Sequence, residues 1–408
     1  MAATYSFRRL DKLGGILIGY GFGVRLALTL ASAIALPLTS GRAQTTSLDL
    51  PKFQYSRIAS GLDYAHIRQP DKPWSIHVAR LDRKKKQFTL ATTLGQDGIQ
   101  GLATVSQQVA AFPPGLGRPL AAINGDFFQI KPGPNQGDPE GIQIINGELV
   151  SAPLDQCFWV ETNGNLHIGD VQSQFVLTWP NAASSPLYLN QSPPTNAVTL
   201  FTSNFGQTTR ATNVMELVLE KIAESSWLPL HVGTTIRARV CEIRPGGNTS
   251  LAPSRMVLAI TGDASTNIPI AQPGAELRLS TATTRDLSLA RTAIGGRPLL
   301  VRNGQEQSWS VKTGAIENTS PRHPRTAVGF NRRYLFLVVV DGRQQELSIG
   351  MTFAELAALM KQLGCAEALN LDGGGSSTFW LGGRVMNSPS DQHERPLANA
   401  LLIVRKQK

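Results

Sequence analysis

The sequence predicts an α+β fold: a β-rich, mixed sheet with few helices and a strand–helix–strand unit near the C-terminus. Three observations predict it. Asn-Gly pairs recur at Asn124-Gly125, Asn146-Gly147, Asn163-Gly164 and Asn303-Gly304, mostly between short apolar runs, and this dipeptide suits the two positive-φ positions of a tight hairpin turn. Residues 334–340 are continuously apolar and β-branched, as a strand buried on both faces requires. Beyond them, Thr352 and Glu355 form a capping box. Phe353, Leu356, Ala357, Met360 and Leu363 then share one helical face, Gly364 ends the helix, and 366–371 reads as a returning strand.

At the N-terminus, Arg8, Arg9, Lys12 and Arg25 precede an uncharged run over 26–38, followed by Gly41-Arg42-Ala43. This is the composition of a secretory signal with a long basic region, cleaved after about 43. Export to the periplasm or the exterior follows, with no stable membrane span after cleavage; the run is short for a bilayer. Residues 44–84 form an N-terminal extension and first strands, and 85–405 form the principal domain. Residues 104–112 place Val105, Val109 and Phe112 on one side of a short helix. Hairpins are expected for 142–145 with 148–150 and for 158–161 with 165–168. The Pro-, Ser- and Asn-rich stretch 180–196 reads as a long loop. Beyond it, about 197–290 is either an inserted β-rich subdomain or more of one large sheet.

Removing residues 1–43 lowers the net charge from +10 to +6, with 34 basic against 28 acidic residues left. That excess suits solubility and also an anionic glycan. The one dense basic block, 83–86, lacks interleaved aromatics and reads as a solvated turn, so nucleic-acid binding is not expected. Cys157, Cys241 and Cys365 are too few for a disulfide framework, their spacing fits no zinc site, and no HExxH pair occurs among the histidines.

The chemistry-bearing signal is the run Asn370-Leu371-Asp372-Gly373-Gly374-Gly375-Ser376-Ser377-Thr378. Three glycines cost backbone entropy and add no packing, so a core would not select them. They let a ligand approach bare backbone N–H groups with Asp372 beside it. The run is neither a phosphate-binding GK[ST] loop nor a GxSxG elbow, since Thr378 stands where the last glycine belongs. If strands 334–340 and 366–371 are parallel, Asp341-Gly342 and Asp372-Gly373 finish at one sheet edge, where α/β sheets place ligands. Three further clusters are Pro321-Arg322-His323-Pro324-Arg325, a cationic edge suited to phosphate or carboxylate; the polar loop 387–396 with Asp391 and Glu394; and Asn124-Gly125-Asp126-Phe127-Phe128, with aromatic faces and an amide for a sugar.

Together these words, with Ala293-Ile294-Gly295-Gly296, Val340-Asp341-Gly342-Arg343, Gly350-Met351-Thr352 and Glu394-Arg395-Pro396, resemble the phosphodiester glycosidase family, in family order, over about 85–405. Asp126 stands where the family often has a small residue. The resemblance implies hydrolysis of the bond between a sugar's anomeric carbon and a phosphodiester oxygen, here in a surface or extracellular glycan. Glycosyl transfer to water normally uses two carboxylates. The expected catalytic set is Asp372, Asp341, His323, Arg325 and Glu394. The expected substrate contacts are Asn124, Asp126, Gly373, Gly374, Gly375, Ser376, Ser377 and Arg395. Clustered carboxylates also suit calcium or magnesium, but the sequence supplies no complete ligand set, so no metal or cofactor is predicted. The expected partner is a carbohydrate or sugar phosphate; no oligomeric state is set. The alternatives are a glycosidase or lyase on an unphosphorylated wall polysaccharide and a non-catalytic carbohydrate-binding protein.

Overall fold

The computed structural model describes residues 48–407 except 97, 100, 134 and 308–320. The expected signal segment 1–43 lies outside the described residues, and among those described no helix is long and apolar enough to cross a membrane.

The architecture corrects the expected fold class: the molecule is built from β-sheets, not α+β. An eight-stranded sheet runs Ser56–Ala59, Leu62–Gln69, Trp74–Asp82, Tyr334–Val340, Arg325–Phe330, Glu367–Asn370, Leu299–Arg302 and Gln305–Glu306 in spatial order. Two five-stranded sheets and a closed seven-stranded barrel complete it. Among the described residues the pairing is antiparallel throughout the three open sheets, and in the barrel only Ser184–Leu189 with Val198–Phe201 is parallel. Among the described residues the α-helices are two, Val105–Ala110 and Phe353–Gln362.

The strand–helix–strand unit exists, but its strands are not neighbours. Arg325–Phe330 lies between Tyr334–Val340 and Glu367–Asn370, antiparallel to both. The expectation of a mixed sheet failed because the preceding hairpin supplies the middle strand, which leaves the two outer strands pointing the same way without a parallel ladder. Phe353–Gln362 keeps its capping box, with Thr352 Oγ1 accepting from Glu355 N–H and the Glu355 carboxylate accepting from Thr352 N–H.

Tyr334–Val340 shows why its sequence is continuously apolar. Leu335, Leu337 and Val339 pack with Ile123, Phe379, Leu401 and Ile403 of a five-stranded sheet, whereas Phe336, Val338 and Val340 pack with Leu356, Leu359 and Met360 of the helix. Successive side chains enter opposite layers, so both faces must be oily. The second layer is the sheet Arg384–Val385, Phe379–Leu381, Arg118–Asn124, Asn399–Arg405 and Phe88–Leu94.

Asn146-Gly147 and Asn303-Gly304 are positive-φ turns between paired strands. Asn124-Gly125 is not: Asn124 ends the Arg118–Asn124 strand, and Gly125 packs against Asn399. The stretch 180–196 is likewise not all loop, since Ser184–Leu189 is a barrel strand with Leu187 and Leu189 turned inward. The three cysteines are free.

Candidate functional site

The two Asp-Gly pairs meet around Pro324. Val340 pairs with Arg325 and Asn370 with Ala327, so the ends of both outer strands flank the start of the middle one. A Cβ at Gly342 would lie 2.5 Å from Pro324 N, and one at Gly373 would lie 2.7 Å from Pro324 O. Backbone approaches that close admit only glycine, and they bring two segments distant in the sequence to one sheet edge.

The triple-glycine loop lies where side chains crowd it. A Cβ at Gly374, which sits at φ +62°, would come within 2.9 Å of the Arg343 guanidinium. At Gly375 it would collide with the Arg395–Asp391 ion pair, whose Nε–Oδ2 and Nη2–Oδ2 distances are 2.9 and 2.7 Å. Arg395 also reaches the Ser376 hydroxyl at 3.4 Å. The loop is thus a bare backbone ribbon between two guanidinium groups.

Asp372 enters this loop from its N-terminal side. Its Oδ1 accepts from Gly373 N–H at 2.8 Å, and the Ser376 hydroxyl bonds the same carboxylate. Burial pushes its pKa up to about 6, against the pull of those hydrogen bonds and of Arg395. Asp126 is 4% exposed and accepts from Phe127 N–H and Gly141 N–H, each at 2.8 Å. Burial lifts it to about 7; the two N–H groups and Arg297 oppose that, and the Asp372 charge adds to it. Gly295 makes room for this carboxylate, since any Cβ there would strike Asp126 Oδ2. Glu140 pairs with Arg297 and adds to the rise of Asp372. Both carboxylates are thus held well above the ordinary range, each by burial, and the Asp372 charge adds to the rise of Asp126.

The remaining expected residues divide by what they touch. Asn124 is a brace: its Nδ2 donates to the Asp372 carbonyl at 2.7 Å, while its Oδ1 accepts from Thr326 Oγ1 at 2.7 Å and Thr378 N–H at 3.1 Å. Ser377 is buried, 3.3 Å from the Thr326 hydroxyl. Asp341 is 1% exposed, with Oδ2 bonded to Ser75 Oγ and His77 Nε2 at 2.7 and 3.1 Å. Its Oδ1 is bonded to Asn387 Nδ2 and Ser388 N–H at 3.1 and 2.9 Å. It ties the 387–388 segment to the sheet edge. Glu394 turns away to accept from Ser106 N–H at 3.0 Å, in the first turn of Val105–Ala110.

Of the expected cationic edge, Arg325 carries charge and His323 does not. Burial and the neighbouring Arg343 and Arg325 lower the His323 pKa below 6.5, and its Nδ1 lies 3.4 Å from Arg343 Nε. The ring is neutral at pH 7. Arg325 is 7% exposed, donates to the carbonyls of Met351 and Pro321 at 2.8 and 2.9 Å, and stacks 3.9 Å over Phe353. Burial lowers its pKa to about 10, which leaves it charged.

Sequence reasoning passed over Arg343, Glu140 and Arg297 as individual site residues. Arg343 stood inside a quoted word and sits at φ +60°, a backbone strain that sequence does not display. Glu140 and Arg297 reach the site only through tertiary contacts. Among the described residues no group of three or more His, Cys, Asp or Glu has metal-holding geometry.

Residues 232–404 match the phosphodiester glycosidase family. The chain is 34% identical over 115 residues to the uncharacterized SPbeta prophage-derived protein YomE of Bacillus subtilis, covering 28% of this chain and 17% of that one. It is 33% identical over 109 residues to mouse N-acetylglucosamine-1-phosphodiester alpha-N-acetylglucosaminidase, covering 24% and 21%. The chain thus spans about a fifth of the length of these curated relatives. A hypothetical protein from Synechocystis shares the fold, with TM-score 0.69 and 19% identity over 88% of this chain and 64% of that one.

Proposed function

From the membership of residues 232–404 in the phosphodiester glycosidase family, we propose that this chain hydrolyses the bond between a sugar's anomeric carbon and the oxygen of a phosphodiester. The observation that carries the reading is Asp372, a carboxylate lifted to about 6, set at the head of a side-chain-free loop that two guanidinium groups border. In the reaction the C1–O bond breaks with its electrons passing to the phosphate oxygen. Water adds to C1, and the products are the free sugar and a phosphomonoester. Ionised Asp372 stabilises the oxocarbenium-like state and takes the proton of the attacking water. The leaving phosphate is a weak base and needs charge balance more than a strong acid. Arg343 supplies it, since the Gly373, Gly374 and Ser376 N–H groups are already donated to Asp372 Oδ1 and to the Pro324 and Gly373 carbonyls. Asp126 holds the Phe127–Gly141 loop beside Asp372, and Asp341 holds the 387–388 segment.

The basic and apolar N-terminal segment supports export, which puts the substrate in a surface or extracellular glycan. N-acetylglucosamine-1-phosphate methyl ester, bearing the sugar in the mouse relative's name, is a suitable first substrate, with products followed by phosphorus NMR. The expected product is methyl phosphate, and Asp372→Asn lowers kcat by roughly a hundredfold or more. Methanol release with sugar 1-phosphate would mean P–O cleavage and defeat the reading. So would turnover unaffected by Asp372→Asn.

A further inference from the structure

Beside Asp372 lies a cleft of about 380 Å³ lined by Gln129, Asn135, Asp138, Glu140, Gln191 and Ser192, with Leu154 and Pro139. That volume lies in the range of small-ligand sites, ~300–1,000 Å³. Hydrogen bonds link its wall to the catalytic group: Asp372 N–H donates to the Gly125 carbonyl at 3.0 Å, the adjacent Asp126 accepts from Gly141 N–H at 2.8 Å, and Glu140, next along, belongs to the lining. The loop that builds it doubles back, Phe128 bridging Pro139, with Gln129 N–H donating to the Asp138 carbonyl at 3.0 Å. Ser184–Leu189 of the barrel leads to Gln191 and Ser192.

Three features of this lining point to a ligand with hydroxyl groups and an apolar face. Asn135 Oδ1 is buried and no donor among the described residues reaches it, a rare condition that a hydroxyl would relieve. The Gln191 and Ser192 side chains lie in the lining without a hydrogen-bond partner among the described residues. Leu154 is 57% exposed on the same surface, as the apolar side of a sugar ring requires. Charge then sets direction. Among the described residues no Lys or Arg lines this cleft, and its carboxylates, Asp138 and the Arg297-paired Glu140, give a phosphate no cation to bind, whereas Arg343, Arg325 and Arg395 lie toward the glycine loop.

We propose that this cleft seats a second, unphosphorylated sugar ring, on the side of the cleaved residue away from the phosphate. The preferred substrate is then an oligosaccharide or polymer phosphodiester rather than a monosaccharide one. The direction along the substrate rests on the sugar-phosphodiester reading; the existence of the sugar subsite does not. The test compares kcat/KM for N-acetylglucosamine-1-phosphate methyl ester with that for its β-1,4-linked disaccharide counterpart. The disaccharide is favoured by roughly tenfold, and Gln191→Ala or Asn135→Ala brings the ratio near one without changing the monosaccharide rate. Equal rates on both esters, or a ratio that both variants leave intact, overturn the proposal. Should neither ester be cleaved, the hydrolase reading fails. Calorimetric titration with the free disaccharide then decides the cleft alone. Binding that Gln191→Ala abolishes sustains the subsite, and absent or unaltered binding overturns it.

Discussion

At the scale of single residues, the site stores an electrostatic cost that pH exposes. Asp372 is lifted by burial from 3.8 to about 6, so between those values the native state holds a proton that the unfolded state has lost. Stability therefore rises as pH falls from about 7 to about 4, and above pH 7 the cost of the buried charge is fully expressed. The rise corresponds to on the order of 3 kcal/mol. Asp372→Asn removes the charge and keeps an oxygen for Gly373 N–H. It is expected to be more stable than the parent at pH 8 by up to that amount, with the advantage gone near pH 4. Urea melts at the two pH values check it; a variant weaker at pH 8 would contradict a destabilising carboxylate. Asp372 was legible in the sequence because a charge before three glycines has no packing purpose. The roles of Asn124 and Asp341 were not legible. Both are polar residues at a sheet edge, and only coordinates reveal that every polar atom of their side chains is already bonded.

At the scale of elements, the glycine loop separates what the backbone needs from what the site needs. A methyl at Gly373 meets the Pro324 carbonyl at 2.7 Å, a backbone atom that cannot turn aside. A methyl at Gly375 meets the ends of Arg395 and Asp391, which can. Gly373→Ala is thus expected to lower the melting temperature by several degrees, as a loss of about 1–3 kcal/mol would. Gly375→Ala leaves the melting temperature within about 2 degrees but displaces the ion pair and lowers kcat/KM. Equal effects of the two alanines on thermal stability would contradict this division. The helix Phe353–Gln362 was readable to its capping box because capping is local. Its sheet neighbours were not, because Arg325–Phe330 inserts between the two flanking strands through a hairpin whose pairing no local pattern records. Ser184–Leu189 was missed for a related reason: alternate Ser, Pro and Tyr face outward, so its apolar signal is only Leu187 and Leu189.

At the scale of the whole molecule, the barrel and the sheet that carries Gly295 share one core. Leu177, Leu217, Leu258 and Leu279 of the barrel belong to the same buried cluster as Ile144, Leu149, Trp159 and Ala293 of the five-stranded sheet Glu148–Ser151, Gln143–Ile145, Ala290–Gly295, Gln156–Glu161 and Leu166–Asp170. That sheet in turn reaches the layer beneath the site, since Phe158, Val160 and Ile294 pack with Val328, Leu369 and Phe379. A barrel with its own separate core would melt by itself; one whose apolar interior runs on into the next sheet has no surface along which to part. Residues 48–407 are therefore expected to unfold in a single calorimetric transition, with the van't Hoff and calorimetric enthalpies equal. Leu258→Ala, wholly buried in the barrel, removes about 2–5 kcal/mol. It should shift that one transition downward instead of splitting it. A second, earlier peak in Leu258→Ala, with catalytic activity surviving between the two peaks, would show the barrel to be an autonomous unit and the shared core to carry no coupling.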